Sequence, residues 1–218
     1  MPGRMTMQTP MPQAAVLRTP ALLRPGQAAP LFSLPDSDME RVDLARFRGR
    51  SNVVLYFYPR DGTPACTLQA TDFSDHEDDF AQQDCVVIGV SPDDCLCHAE
   101  FRDANGVSIV LLADTECEVC EKYGVVEHDE AAAIASENAA ADLAMNGNGA
   151  PSGKNGAGAV AHGSRTGAGA AHAGRVPRHI TRATFIIDKR GVVRHALYNV
   201  SPRGHVAQVL ELVRALGR

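Results

Sequence analysis

The order of apolar and polar positions along the chain predicts alternating strands and helices. Continuous apolar runs, bounded by turn residues, predict buried strands at 53–58, 86–90, 109–112 and 184–187. Apolar positions at helical spacing predict helices at 64–80, 92–105, 116–123 and 204–216. Near the start, Phe32 and Leu34 precede a turn at 35–38 and Val42 follows it, which predicts a small hairpin. This alternation favours an α/β sandwich with a covered central sheet.

Two segments lack the pattern of a packed domain. From about 131 to 174 the chain is rich in Ala, Gly and Asn and nearly without large side chains. Little apolar surface is available there to offset the backbone entropy lost on ordering, so we predict a flexible insertion. We also predict a flexible tail over residues 1–25. The domain is then 26–218, interrupted by the insertion, and the length of 218 residues suits one core.

Charge and hydropathy exclude two classes of partner. Lys and Arg number 21 against 26 Asp and Glu, so the net charge of -5 gives no basic field for nucleic acid. No apolar run approaches the roughly 20 residues that span a bilayer, and a secretory signal is not evident, so we expect a cytoplasmic protein without membrane contacts. The first 35 residues contain no Asp or Glu, which leaves organelle targeting as a minor alternative. Six cysteines in such a chain favour redox or metal chemistry over a disulfide framework.

The most informative stretch, Tyr56-Phe-Tyr-Pro-Arg-Asp-Gly-Thr-Pro-Ala-Cys66, leaves a predicted strand and enters a helix at a cysteine. Thr63 is a good N-cap, and Pro64 suits the first helical position, where its missing N–H costs nothing. Cys66 then lies in the first turn. The unpaired N–H groups and positive dipole end of a helix N-terminus favour a thiolate. We therefore predict that Cys66 is a nucleophile.

One reaction open to a thiolate is attack on a peroxide, and that reaction also requires hydrogen-bond donors, because charge moves onto the leaving oxygen as the O–O bond stretches. The Thr63 hydroxyl and the backbone N–H groups of Ala65 and Cys66 are candidate donors. A cation would assist them, and Arg182, just before a predicted buried strand, is the one we select.

These residues carry a family resemblance. The segment Pro59-Arg-Asp-Gly-Thr63-Pro-Ala-Cys66 resembles the peroxiredoxin motif Pro-x-x-x-Thr-x-x-Cys. Further blocks resemble the bacterioferritin-comigratory-protein (PrxQ) branch, and they lie at 53–61, 89–93, 181–188 and 204–210. The resemblance covers roughly residues 26–127 and 178–216. It implies a thioredoxin-like three-layer α/β sandwich, with a central mixed sheet flanked by helices.

The resemblance also implies a function. It is that of a thiol-dependent peroxidase, which reduces hydrogen peroxide and organic hydroperoxides through a cysteine sulfenic acid, in antioxidant defence and redox homeostasis. The implied roles are Cys66 as peroxidatic nucleophile, Thr63 as its hydrogen-bond partner, Pro59 as its shield and Arg182 as activator. No cofactor is implied. Thioredoxin, glutaredoxin or another thiol reductant would recycle the enzyme, which we expect to be a monomer or weak homodimer.

The second cysteine of the cycle departs from the family pattern. Many relatives carry a resolving cysteine five residues after the peroxidatic one, where this chain has Thr71. Others resolve from the helix after the next strand, at a position nearest Arg102 here. Cys95 lies two helical turns before Arg102 on a similar face, so we prefer it to Cys97 as the resolving residue. A one-cysteine cycle with an external resolving thiol stays open.

Other positions also depart from the pattern or allow an ordinary structural interpretation. The branch often has Gly at Ala65 and Glu at Gln69, so a carboxylate hydrogen bond from position 69 is not assumed. His98, His195 and His205 show no spacing that demands a metal or a general base, and we interpret them as surface or satisfied core residues.

Two alternative functions use the remaining cysteines. One is a non-catalytic thioredoxin-fold module with a structural zinc site on Cys95, Cys97, Cys117 and Cys120, whose spacing approaches that of zinc ligands. Another is a disulfide oxidoreductase that uses Cys117 and Cys120. Cys85 opens a predicted strand and is most simply core or edge filler.

Overall fold

The computed structural model describes residues 22–127 and 179–217. The predicted insertion at 131–174 and residues 1–21 of the predicted tail lie outside these described residues. Close to the start of the described chain, the backbone N–H of Leu23 donates a hydrogen bond to the hydroxyl oxygen of Tyr198 at 2.8 Å.

Strands and helices alternate along the described chain. The strands are β1 (Ser33–Pro35), β2 (Arg41–Asp43), β3 (Asn52–Phe57), β4 (Cys85–Ser91), β5 (Val110–Ala113), β6 (Val126–Glu127), β7 (His179–Ile180), β8 (Ala183–Ile187) and β9 (Val193–Tyr198). The helices are α1 (Pro64–Asp75), α2 (Glu77–Ala81), α3 (Cys95–Asn105), α4 (Glu118–Lys122) and α5 (His205–Leu216), and a 3-10 turn spans Leu44–Phe47.

Five strands form the central mixed sheet, in the order β5-β4-β3-β8-β9. Strand β3 pairs in parallel with β4 and antiparallel with β8, so it lies at the centre. The four predicted apolar runs correspond to β3, β4, β5 and β8, whereas the sequence pattern does not predict β9. After Val193, most residues of this edge strand are only half-buried, so no continuous apolar run marks it.

The sheet is covered on both faces, which confirms the predicted α/β sandwich. On one face, α1, α2, α3 and α5 contribute to a single apolar core that includes Phe73, Phe80, Phe101 and Val209. On the other face, the β1–β2 hairpin, the 3-10 turn and α4 pack over the sheet. The hairpin predicted around the turn at 35–38 is therefore confirmed, and it closes the second face.

All four predicted helices have somewhat different bounds in the structure, and the two largest differences have a clear cause. The predicted helix 64–80 is divided at His76, whose φ of -106° and ψ of 11° end α1 before α2 begins. The helix predicted from residue 92 begins at Cys95, because Asp94 adopts an extended conformation and caps it. Its carboxylate accepts a hydrogen bond from the Cys97 N–H at 2.8 Å.

A glycine in the central sheet makes room for an aromatic ring. Gly89 of β4 pairs with Tyr56 of β3, and an added Cβ at Gly89 would lie 2.8 Å from the Tyr56 ring. The same ring stacks on Phe73 of α1, with ring centroids 4.8 Å apart. The bare backbone at Gly89 therefore lets a large ring fill the space between the sheet and α1.

We expect Gly89→Ala to destabilise the fold, because the added methyl group must displace the buried Tyr56 ring. The free energy of unfolding, measured by urea denaturation, should fall by about 1–3 kcal/mol. Gly217→Ala is the matched control, since the nearest atom to its added Cβ is 4.0 Å away, and it should change stability by about 0.5 kcal/mol or less. Equal losses in the two variants would contradict this packing account.

Candidate active site

The helix start predicted around Cys66 is present. Thr63 has the extended backbone of an N-cap, and Pro64 occupies the first helical turn ahead of Cys66. The Thr63 hydroxyl oxygen accepts a hydrogen bond from the Cys66 N–H at 3.3 Å. The cap therefore fixes the first turn of α1 and, with it, the backbone of Cys66.

The Cys66 side chain is buried, with 1% of its surface exposed. It belongs to the core on the α1 face of the sheet, which also contains Tyr56, Tyr58 and Ala70. A peroxide or a thiol must therefore enter a largely dehydrated site to reach the sulfur. In such a site each hydrogen bond and charge acts more strongly than in water.

The register between β3 and β8 brings Arg182 to this site. Phe57, the last residue of β3, pairs with Ala183, the first residue of β8. Arg182 directly precedes β8, so it lies beside the exit of β3, where the loop to α1 begins. Its Nη2 donates a hydrogen bond to the Cys66 sulfur at 3.0 Å. The structure thus brings together Cys66, Thr63 and Arg182.

The other half of the Arg182 guanidinium contacts Gln69. Nη1 donates to Oε1 of Gln69 at 3.0 Å. Gln69 lies one turn after Cys66 on α1 and is fully buried. A guanidinium can only donate hydrogen bonds, so the amide oxygen must face it and the amide nitrogen must point away. Sequence reasoning noted Gln69 only as a departure and missed this contact.

The substrate donors predicted from the sequence are partly engaged elsewhere. The Cys66 N–H, one of the predicted donors, donates to the Thr63 hydroxyl oxygen at 3.3 Å. The Thr63 hydroxyl lies 3.5 Å from the Arg60 carbonyl oxygen, at the outer limit for a hydrogen bond. Pro59 is half-buried in the bend that follows Tyr58. The guanidinium of Arg182 is consequently the donor group in direct contact with the sulfur.

A buried polar network ties the loop before α1 to the start of α3. The Asp61 carboxylate accepts a hydrogen bond from the Tyr58 hydroxyl at 2.8 Å and lies 2.7 Å from Nδ1 of His98. The Asp61 N–H in turn donates to the Asp93 carboxylate at 2.7 Å. His98 is fully buried, as a core residue would be, but it is not fully satisfied, since its Nε2 has no partner among the described residues. The loop and α3 are thus joined through side chains as well as through the sheet.

Burial keeps the phenols of this region protonated. It is the largest cause raising the pKa of Tyr56 and of Tyr58, and the nearby Asp61 carboxylate raises both further. Burial also raises the pKa of Asp93, against the opposing effect of hydrogen bonds from the Asp61 N–H and from Ser91. The two tyrosines therefore act as neutral hydroxyl groups at physiological pH.

Three buried side-chain atoms in the described part of the chain lack a hydrogen-bond partner, and they belong to Tyr56, Gln69 and His98. An unmet buried polar group costs about 1–3 kcal/mol. Gln69 contacts Arg182, and the ring of Tyr56 stacks on that of Tyr58 with centroids 5.4 Å apart. The unsatisfied groups thus lie in or directly beside the candidate site.

The two candidate resolving cysteines lie at the start of α3. Cys95, its first residue, is half-buried, and Cys97 is exposed. Burial first, and then the carboxylates of Asp94 and Asp36, raise the pKa of the Cys95 thiol. Neither residue forms a disulfide, and no hydrogen bond joins either one to Cys66.

The structure gives no support to a zinc site on the four later cysteines. Cys117 and Cys120 are buried on the second face of the sheet, whereas Cys95 and Cys97 start a helix on the first face. Among residues 22–127 and 179–217, no three His, Cys, Asp or Glu side chains are grouped so as to hold a metal. Burial, followed by the charge of Asp114, also raises the pKa of the Cys120 thiol, which disfavours its use as a redox thiolate.

Comparison with known proteins shows which sequences and folds this chain resembles. The AhpC/TSA family profile matches residues 25–196. The chain is 30% identical to peroxiredoxin Bcp of Bacillus subtilis over 189 residues, which cover 87% of this chain and 94% of that protein. It is 32% identical to chloroplastic peroxiredoxin Q of Oryza sativa subsp. japonica over 192 residues, covering 88% of this chain and 67% of that protein.

Solved structures show the same fold. The bacterioferritin comigratory protein of Xanthomonas campestris, described together with its alkyl peroxide reduction activity, gives a TM-score of 0.63 at 22% identity. The match covers 86% of this chain and 92% of that one.

Within the described residues, every helix is too short or too polar to cross a bilayer.

Proposed function

The chain belongs to the AhpC/TSA family and is a peroxiredoxin, a thiol peroxidase, and on that premise we propose that Cys66 is its peroxidatic nucleophile. The single observation that carries this proposal is the 3.0 Å contact between Nη2 of Arg182 and the Cys66 sulfur. A cation beside a thiol favours the thiolate, which is the attacking species. At four other cysteines, namely Cys85, Cys95, Cys97 and Cys120, burial is the largest cause raising the thiol pKa, which disfavours each of them as the peroxidatic thiolate.

In the first step, the Cys66 thiolate attacks one oxygen of the peroxide bond. An S–O bond forms as the O–O bond breaks, and Cys66 becomes a sulfenic acid while the second oxygen leaves as hydroxide or alkoxide. The leaving oxygen takes a proton and departs as water or an alcohol. Because Arg182 is already in place, its guanidinium can stabilise the growing negative charge without reorganisation. We propose hydrogen peroxide and organic hydroperoxides as the substrates.

In the second step, a thiol reduces the sulfenic acid. The thiol sulfur bonds to the Cys66 sulfur, water leaves, and a mixed disulfide results. A second thiol then attacks that disulfide and restores the Cys66 thiol. Because the Cys66 side chain is 1% exposed, the pocket must open before another thiol can reach the sulfur. The polar network around Asp61 joins this pocket to the segment that carries Cys95, so we retain Cys95 as the proposed resolving residue.

The reductant and the location follow from the same chemistry. Restoring Cys66 consumes two electrons per peroxide, so a dithiol such as thioredoxin or glutaredoxin is the proposed partner. Such donors are kept reduced in the cytoplasm, which remains the location we propose. In that compartment the enzyme would contribute to antioxidant defence.

We expect Cys66→Ser to abolish peroxide consumption, because a hydroxyl group is far less nucleophilic than a thiolate at neutral pH. Turnover is measured as loss of hydrogen peroxide with thioredoxin or dithiothreitol as reductant. Cys85→Ser is the matched control: burial raises the pKa of Cys85 to about 12, so this thiol is inert and its loss should leave turnover within about twofold. Undiminished consumption by Cys66→Ser would rule out the proposed nucleophile.

Peptide mass spectrometry after one equivalent of hydrogen peroxide should find a disulfide between Cys66 and Cys95. Cys95→Ser should abolish that disulfide and leave a sulfenic acid on Cys66, which dimedone would trap. Cys97→Ser serves as its control and should still form the disulfide. A Cys66 sulfenic acid that persists in the unmodified protein would show instead that an external thiol resolves the enzyme.

A further inference from the structure

The loop between β3 and α1, residues 59–63, ends at the cap that holds the backbone of Cys66. Arg60 and Gly62 of this loop are exposed, and no backbone hydrogen bond joins its first four residues to another strand or helix of the described chain. Asp61 differs from its two neighbours, because its side chain is only 8% exposed. The position of the loop therefore depends on the contacts of Asp61.

Two long-range bonds hold Asp61, and both reach the segment that leads into α3. Its carboxylate lies 2.7 Å from Nδ1 of His98, and its N–H donates to the Asp93 carboxylate at 2.7 Å. An ionised carboxylate only accepts hydrogen bonds, so Nδ1 of His98 carries the hydrogen of the first bond. The 2.8 Å bond from the Tyr58 hydroxyl is local to the loop, so it orients the Asp61 carboxylate without tying the loop to α3.

The helix that carries His98 is fixed on two sides. His98 is fully buried, and Phe101 on the next turn of α3 belongs to the apolar core. On its other side, α3 is held by Nη1 of Arg102, which donates to the Asp38 carboxylate at 2.8 Å. The loop, by contrast, is exposed on one side and has few anchors. The loop is therefore the part that moves when the bond between Asp61 and His98 breaks.

We propose that His98 is a positioning residue for the peroxidase reaction: its bond to Asp61 holds the loop closed over Cys66, and the pocket opens to a thiol when that bond breaks. The inference rests on the proposed role of Cys66, because it concerns the access of thiols to that sulfur. While the bond holds, Cys66 stays 1% exposed and in contact with Arg182, as attack on a peroxide requires. One buried hydrogen bond thus sets how readily a thiol follows the peroxide.

The surroundings make this bond both strong and reversible. A hydrogen bond to a charged group is stronger than one between neutral groups, and in a buried site water does not compete for it. Nε2 of His98 has no partner among the described residues, so the bond to Asp61 is the one that engages the ring. Asp61 lies at the edge of the buried network, where water can replace the imidazole once the loop moves outward. The loop can therefore open without disturbing the core around His98.

The test measures opening of the pocket in the reduced protein, by labelling with N-ethylmaleimide and following each cysteine peptide by mass spectrometry. His98→Leu keeps an apolar group in the core but removes the donor, so we expect it to raise the labelling rate of Cys66 by about tenfold or more. His98→Asn should stay within about twofold of the unmodified protein, because its amide N–H can replace that of Nδ1.

Cys85 provides an internal control in the same samples. It is buried at the start of β4, beside the first residue of β3, whereas the loop follows the last residue of β3. Opening of the loop should therefore leave the labelling rate of Cys85 unchanged, whereas a general loss of stability would raise it together with that of Cys66. His195→Leu is the matched control variant, because His195 is half-buried on the edge strand β9, and both labelling rates should stay unchanged in it.

A second variant removes the same bond from the loop side and carries the test if His98→Leu does not fold. Asp61→Ala should raise the labelling rate of Cys66 by at least the same factor as His98→Leu. Adding His98→Leu to Asp61→Ala should give no further increase, as expected for two residues that act through one bond.

Three results would overturn the proposal. They are an unchanged labelling rate of Cys66 in His98→Leu and Asp61→Ala, an equal increase at Cys66 and Cys85, and an increase in His98→Asn as large as that in His98→Leu. Failure of the proposed peroxidase role would appear separately, as absence of peroxide turnover in the unmodified protein, because the labelling experiment uses no peroxide.

Discussion

The contact between the Arg182 guanidinium and the Cys66 sulfur is the interaction on which the site depends. The two residues are 116 positions apart in sequence, and the chain between them includes the segment 128–178 that lies outside the described structure. The Arg182 and Cys66 side chains can contact each other only when β8 pairs with β3 in one particular register. Because neighbouring residues in a strand point to opposite faces, a shift of one position would move Arg182 to the wrong side of the sheet. The pairing of the central strands therefore sets the distance between charge and sulfur.

Stability and reactivity are in tension around this contact. A positive charge, a thiol and an amide are packed against an aromatic core, and three of the nearby polar atoms have no hydrogen-bond partner among the described residues. Each such atom lowers the stability of the fold. The rings of Tyr56, Tyr58 and Phe73 stack beneath the site and supply apolar burial that offsets part of this cost. The same burial excludes water, which strengthens the effect of Arg182 on the sulfur.

Much of the fold could be predicted from the sequence because burial leaves a local signature. Four strands of the central sheet each contain a mostly apolar run, and the cap of α1 is evident from Thr63 and Pro64. The edge strand β9 was not predicted because its residues are mostly half-buried. The division of the helix after Asp75 was not predicted because a single change of backbone conformation at His76 leaves the helical spacing intact. The local pattern of apolar residues thus predicts which segments are buried, but it does not show where the backbone changes direction.

The residues of the candidate site could be predicted from the sequence, but the hydrogen bonds between them could not. Cys66, Thr63 and Arg182 each have a local signal or a counterpart in the resemblance, and the structure brings them together. The bond from Arg182 to Gln69 and the bond from Asp61 to His98 join distant segments, so no spacing in the sequence reveals them. Sequence patterns identify groups that can react, whereas tertiary contacts decide which groups act on one another.

We propose above all that Arg182 activates Cys66 through a defined contact and not through charge alone. The most direct test is the stopped-flow rate constant for the first reaction of the reduced enzyme with hydrogen peroxide, compared between the unmodified protein and Arg182→Lys. Lysine keeps the charge but has no planar fork to contact sulfur and amide together, so the rate constant should fall by about 100-fold. The same exchange at the exposed Arg190 should have no effect. A rate constant for Arg182→Lys within about twofold of the unmodified protein would contradict the account.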